Sequence, residues 1–377
     1  MTRIVVALSG GVDSSVAAAL LQQQGHEVIG MMLRLWSEPG MEAANRCCTP
    51  DSLAMARRVA ARLDIPFYAV DAQQIFRDVV VQYFLDGYTQ GVTPNPCLVC
   101  NRYIRWDFLL NRALTLGASY LATGHYARIT PSPVSIASFT RPTPVSERYE
   151  PRAEDDKKKI QLLRGVDSQK DQSYVLSVLT QEQLRHAIFP IGEYTKPQVR
   201  QLARDFELPV AERAESQDLC FLGDDDYRDF LRRHVPEVVK PGSIINRNGQ
   251  QVGEHRGLAF YTIGQRKGLG ISSPVPMYVL AKDVSRNVLI IGKVDELGEQ
   301  ELTAGSVNWL SGEPPETPIR VQVKIRYKAV DAWGLVTPLD GTRIHIRFDN
   351  SFRDITPGQL VVFYEGDICL GSGIVEI

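Results

Sequence analysis

The segment Ser9-Gly10-Gly11-Val12-Asp13-Ser14-Ser15 constrains this chain more than any other. It follows an apolar run, residues 4–8, that reads as a buried strand. It opens a helical pattern, residues 14–24, that Gly25 stops. Two adjacent glycines let backbone N–H groups close on a phosphate, and the helix N-terminus adds partial positive charge. The serine hydroxyls are further donors. Asp13 is out of place in a plain phosphate cradle, because a carboxylate repels the ligand unless a Mg²⁺ ion lies between them. No Gly-Lys-Ser/Thr is present here, so this is not the usual nucleotide P-loop. The bland alternative is a glycine turn with a Ser/Asp helix cap.

The pattern around this loop repeats. Residues 28–35, 67–70 and 120–122 read as strands, with helical spacing at 51–63 and 106–116. Strand alternating with helix predicts a parallel sheet covered on both faces, with ligands at the carboxyl ends of its strands. Residues 129–159 interrupt the pattern with five prolines and a charged run, and read as a long exposed loop. Helical patterns return at 181–186 and 196–206. From about residue 215 the texture changes to short strands at 241–247, 250–254 and 258–263. From about 277 it is β-rich, with strands expected at 278–281, 288–291, 319–325, 343–348 and 360–364, which suggests a small barrel. The expected fold is therefore α/β. A doubly wound N-terminal domain would span 1–214, a small central domain 215–276 and a C-terminal β-barrel 277–377.

With 377 residues, 44% hydrophobic and 23% charged, the chain can bury at least one full core. No apolar run reaches the length of a membrane span, and the N-terminus shows no signal-peptide pattern, so a cytoplasmic protein is expected. A net charge of −2 argues against a protein that only coats nucleic acid, though not against a local basic face. Six cysteines are too few for a disulfide scaffold in a chain this long, and read as reactive, metal-binding or buried thiols. Cys97 and Cys100 follow two prolines in Thr93-Pro94-Asn95-Pro96-Cys97-Leu98-Val99-Cys100-Asn101. Such a pair can be a redox dithiol, half of a metal site or a sulfur-handling nucleophile, and spacing alone favours metal. Cys47-Cys48 could complete a zinc site, although adjacent cysteines rarely both ligate one ion. Cys220, between Leu219 and Phe221, and Cys369, between Ile368 and Leu370, read as packing residues when taken alone.

Taken together, these segments resemble one family, the tRNA-specific 2-thiouridylases. The phosphate loop by itself resembles the signature of the N-type ATP pyrophosphatases, the adenine nucleotide alpha hydrolase-like fold. Thr123-Gly124-His125-Tyr126-Ala127-Arg128, Lys170-Asp171-Gln172-Ser173-Tyr174, the Cys220 segment, residues 261–270 and Lys324-Ile325-Arg326-Tyr327 extend the likeness over almost the whole chain, in order. The resemblance implies an ATP- and Mg²⁺-using enzyme with tRNA and a persulfide-carrying donor protein as partners. Ala7, Leu8, Ser9, Gly10, Gly11, Val12, Asp13 and Ser14 would hold the ATP phosphates, with Leu33 and Gly124 flanking the adenosine. Cys100 would be the nucleophile and Cys220 the persulfide carrier, the two closing a disulfide after transfer. Asn95, Pro96 and Cys97 would line the target-base pocket. Lys170, Asp171, Gln172, Arg326 and Tyr327 would touch tRNA.

The sequence departs from the family at Cys97, where many members carry Asp. Three thiols, Cys97, Cys100 and Cys220, then resemble the cluster ligands of related tRNA thiolases, so a [4Fe–4S] cluster holding hydrosulfide is a second mechanism. Tyr103 and Trp106 are candidates for nucleotide stacking, and Arg57-Arg58, Lys157–Lys159 and Arg232-Arg233 for phosphate contacts, against core and solvated-face readings. Two rival functions are an amidotransferase-type synthetase acting on a small molecule and a non-catalytic tRNA scaffold. The cysteines and β-rich half oppose the first, and the intact loop opposes the second.

Overall fold

The computed structural model describes residues 1–40, 49–131, 159–214, 219–222, 226–327 and 329–376. Cys47, Cys48, Lys157, Lys158 and all but the ends of the 129–159 loop lie outside them.

Five parallel strands form the first sheet, in the order β3-β2-β1-β4-β7: β1 Arg3–Ala7, β2 Glu27–Arg34, β3 Phe67–Asp71, β4 Tyr120–Ala122 and β7 Ala187–Ile188. Alternation along β1 decides the layers. Ile4 and Val6 pack with helix α1 (Val12–Gln23) and with helix α5 (Lys196–Asp205), whereas Val5 packs on the other face with Trp106, Leu109 and Tyr174. Side chains two apart share a face of a strand, so one apolar run feeds two cores. The doubly wound sheet is thus as expected. Helix α2 (Pro50–Arg62) starts with Thr49, whose hydroxyl accepts from the Ser52 N–H, and Pro50 sits where a missing N–H costs nothing.

Two helical runs are broader than the sequence suggests. Residues 73–89, which carry no strong period, form helix α3, and 96–115 form helix α4. Each contains a π-type stretch, Arg77–Val81 and Cys100–Leu109. Wide turns of this kind slide the apolar stripe around the helix and blur its 3.6-residue spacing, and they concentrate at functional sites.

The second sheet has the order β10-β11-β8-β9: β8 Gly242–Asn246, β9 Gln251–His255, β10 Tyr278–Asp283 and β11 Val288–Gly292. It therefore runs past residue 276, where the sequence texture placed a boundary. The strand expected at 258–263 is instead a single 3-10 turn, Leu258–Phe260, whose three residues are all buried in a core shared with α3.

Six strands close the C-terminal barrel. They are β12 Glu299–Trp309, β13 Ile319–Lys324, β14 Ala332–Pro338, β15 Ile344–Phe352, β16 Leu360–Glu365 and β17 Ile368–Val375, with β12 pairing both β15 and β17. Closure leaves no open edge among them. Two strands from the first half, β5 Ala127–Thr130 and β6 Gln161–Arg164, extend this sheet through β17, with Ile368 opposite Leu163 and Cys369 opposite Leu162. The barrel is therefore stitched directly to the chain that leaves the phosphate-loop sheet. Among the described residues no helix is long and apolar enough to cross a membrane.

Candidate active site

The phosphate loop leaves β1 and enters α1 through Gly10, which has φ +73° and whose Cβ would lie 2.4 Å from the Ser52 carbonyl oxygen. Only glycine meets both demands. The loop is tied to itself. The Ser9 N–H donates to Ser14 Oγ at 3.2 Å, and the Ser15 hydroxyl donates to the Gly11 carbonyl at 2.8 Å. Arg213 closes the outside, donating to the Gly10 carbonyl at 3.1 Å and to Asp51 and Ser52 on α2. Gly124, two residues past the end of β4, lies against the first turn of α1. A Cβ there would stand 2.5 Å from the Ser14 nitrogen.

Asp13, the odd residue of the loop, is answered by Lys196. The ammonium lies 2.7 and 2.8 Å from the two carboxylate oxygens, and Tyr126 donates its hydroxyl to the nearer one at 2.8 Å. Gln172 fixes Tyr126 by bonding its backbone N–H and carbonyl. Asp171 is buried, and its carboxylate accepts from Gly165 N–H, Ser173 N–H and the Ser173 hydroxyl. Its oxygens hold the turn that carries Tyr126. Lys170 is half-buried at the same turn.

Cys97 and Cys100 open α4. Asn95 caps that helix, its side-chain oxygen accepting from the Cys97 N–H at 3.2 Å, and Pro96 takes the first helical position. Cys97 is exposed and Cys100 half-buried at the start of the π-type stretch. The barrel supports this turn from outside: Gln359 donates to the Thr93 carbonyl at 2.7 Å and the Thr93 N–H donates to Pro357. A polar chain leads from the thiol helix to Thr123, just past β4. Asn101 donates to the Cys97 carbonyl, Arg105 donates to Asn101 Oδ1, and the same nitrogen lies 2.9 Å from His125 Nε2. Since Arg105 can only donate, Nε2 accepts and the proton sits on Nδ1, directed at Thr123 Oγ1 2.7 Å away. Burial, and then the Arg105 charge, hold His125 well below the usual imidazole range, so it stays neutral.

Cys220 is distant in sequence but packs against the same apolar cluster as Cys100, among Phe76, Phe84, Ile104, Phe221 and Phe230. Phe221 presses edge-on against those three phenylalanine rings, which pins its neighbour Cys220. Neither Cys100 nor Cys220 is fully buried, unlike Cys369, whose thiol is pushed up by burial in the sheet and fits a packing role. Among the described residues no three His, Cys, Asp or Glu side chains are placed to hold a metal ion.

Trp106 is wholly buried against Phe189, which removes it as a stacking platform, while Tyr103 remains exposed. Arg326 donates to the Ile263 carbonyl and to Thr356, tying the central unit to the barrel, and burial lowers its pKa. Tyr327 is exposed beside Tyr174. Leu33, near the end of β2, lies between two core clusters. Of the basic runs, Arg57 and Arg58 are exposed, Arg232 pairs with Asp229 and Arg233 with Glu38. Lys196, Tyr126 and Arg213 were not singled out from sequence. One signal was available: Lys196 puts a cation in the first turn of a helix, against the helix dipole, where a lysine does not serve helix stability.

Comparison with known proteins matches this arrangement end to end. Residues 2–224 match the tRNA methyl transferase HUP domain, 228–293 the tRNA methyl transferase PRC-barrel domain and 299–375 the aminomethyltransferase beta-barrel domain. The chain is 45% identical over 377 residues to tRNA-specific 2-thiouridylase MnmA 1 of Caldanaerobacter subterraneus subsp. tengcongensis, covering 99% of this chain and 98% of that one. It is 46% identical over 374 residues to tRNA-specific 2-thiouridylase MnmA of Roseiflexus castenholzii, covering 99% of each. On this evidence the chain belongs to the tRNA-specific 2-thiouridylase family.

Proposed function

We propose that this protein is an ATP-dependent tRNA-uridine 2-sulfurtransferase that exchanges O2 of the wobble uridine, position 34, for sulfur. One observation carries the reading: the helix bearing Cys100 is hydrogen-bonded through Arg105 and His125 to Thr123, beside the Gly124 that packs on the phosphate loop. Phosphate chemistry and thiol chemistry thus share one frame.

The uridine C2 carbonyl is a poor electrophile because oxide leaves badly. O2 attacks the α-phosphorus of ATP, the α–β bridging bond breaks, and pyrophosphate departs with the electron pair. Backbone N–H groups of the loop and the α1 N-terminus stabilise that charge. Leu33 and Gly124 flank the adenosine. A Mg²⁺ ion bound with the triphosphate would supply counter-charge to it. Asp13, the one carboxylate of the loop, already has both oxygens on Lys196, so it is a poor protein ligand for that ion. The terminal sulfur of a Cys220 persulfide, loaded by a donor protein, then attacks C2, and AMP leaves. Cys100 thiolate attacks Cys220 Sγ, the persulfide S–S bond breaks and 2-thiouridine is released. In the variant order Cys100 attacks first and frees hydrosulfide, which attacks C2. Either route ends in a Cys100–Cys220 disulfide that a dithiol reductant must open.

The wobble base lies in a single-stranded loop and enters a pocket at modest cost. Asn95, Pro96 and Cys97 line that pocket. Lys170 and Tyr327 face the nucleic acid. Arg266 and Lys267 support the same reading. They are exposed on a turn that Gln265 braces, accepting from Thr262 N–H and donating to the Lys267 carbonyl. The test is direct. With tRNA, labelled ATP and a persulfide donor, AMP and pyrophosphate appear together with 2-thiouridine. Cys100→Ser and Cys220→Ser each abolish thiolation but still release pyrophosphate. ADP formation, or no sulfur gain in any tRNA, sinks the proposal.

A further inference from the structure

Asp13 poses a problem for any reading of its loop as a polyphosphate site, since a bare carboxylate in the first turn of α1 would repel every phosphate brought to it. Lys196 reaches it from 183 residues away. Its ammonium meets both carboxylate oxygens, and only 8% of the residue is exposed. The lysine is itself held. Its backbone N–H donates to Asp167 at 2.9 Å, Thr195 and Gln198 cap the helix start, and the Tyr126 ring lies 5.9 Å from the ammonium while its hydroxyl bonds Asp13. The pair is partly buried, Lys196 more than Asp13, and an ion pair drawn out of water is weak support for stability, because apolar residues of the same volume serve a fold as well. A lysine in a first helical turn also opposes the dipole. The pair is therefore better explained by what the loop must bind than by the fold.

We propose that Lys196 is a positioning residue for the pyrophosphate portion of ATP, acting through Asp13: it cancels the carboxylate charge and holds the side chain on Tyr126, away from the incoming phosphates. This rests on the reading of the loop as an ATP site, and its test needs neither tRNA nor a sulfur donor.

Inorganic pyrophosphate binding is measured by calorimetry at low and moderate salt for the wild type, Lys196→Met, Lys196→Arg, Asp13→Asn and the Asp13→Asn/Lys196→Met double variant, each checked for an unchanged melting profile. Leaving Asp13 uncompensated should weaken binding by about 30-fold or more in Lys196→Met, with the larger loss at low salt. Lys196→Arg should recover most of it. The double variant should bind within a few-fold of Asp13→Asn alone, since no charge remains to cancel. Equal affinity in wild type and a folded Lys196→Met overturns the proposal. So does a loss that Asp13→Asn does not relieve, which would be the mark of a merely structural lysine. A wild type that binds no pyrophosphate overturns the ATP reading of the loop itself, and this inference with it.

Discussion

At the scale of single residues, charge placement separates what serves the fold from what serves the site. Lys282, in β10, buries its ammonium nitrogen with no hydrogen-bond partner among the described residues. Burial lowers its pKa from 10.5 to about 8. The sign follows. Below pH 8 the group is charged in both states and the folded state bears the full desolvation cost. Between pH 8 and 10.5 the folded form binds fewer protons than the unfolded one, so stability rises with pH. Lys282→Met should therefore stabilise the protein at pH 7 by about 2 kcal/mol and raise the melting midpoint by about 2–4 °C. Thermal melts across pH check it, because the gain over wild type must shrink between pH 8 and 10.5. The phosphate loop was legible at this scale because its turn depends on local backbone freedom. Lys196 was not, because nothing near it in sequence announces that its charge lands on Asp13.

Among the elements, the first half was read most closely. Strands 67–71 and 120–122 and the helix at 50–62 stand where periodicity put them, to within a residue or two. Periodicity failed at α3 and at the start of α4, where π-type turns shift the stripe, and at 258–260, where an apolar run fills a core as a turn. The contact between β4 and α1 decides the phosphate loop. Gly124→Ala would drive a methyl to 2.5 Å from the Ser14 backbone nitrogen, which cannot move without α1. The expected cost is about 1–3 kcal/mol of stability and, through the displaced loop, about 10- to 100-fold in pyrophosphate release. A variant that melts with the wild type and releases pyrophosphate at its rate would show that this contact does not set the loop.

For the whole molecule, the barrel braces the turn that leads into the thiol helix. It reaches the thiol helix through Gln359 and Pro357 on the Thr93 backbone, and joins the phosphate-loop domain through β6 on β17. Gln359→Ala leaves the Thr93 carbonyl without that donor, at a cost of about 1 kcal/mol. Pyrophosphate binding should stay within two-fold of wild type while single-turnover thiolation falls about ten-fold, since the defect lies under Asn95 and Cys97. Equal loss of both activities would mean the barrel supports the fold alone.

By itself the sequence determined the parallel sheet, the phosphate loop and the roster of thiols, because strand alternation, glycine turns and residue chemistry are local properties. Only the tertiary structure decided where each thiol lies. Cys100 and Cys220 converge on one apolar cluster, Cys97 stays exposed, and no metal-binding set forms among the described residues. The same holds for Asp13, whose meaning changed once Lys196 arrived from another helix. Convergence of this kind depends on how helices pack on a sheet 100 or 200 residues later, and no local pattern encodes it.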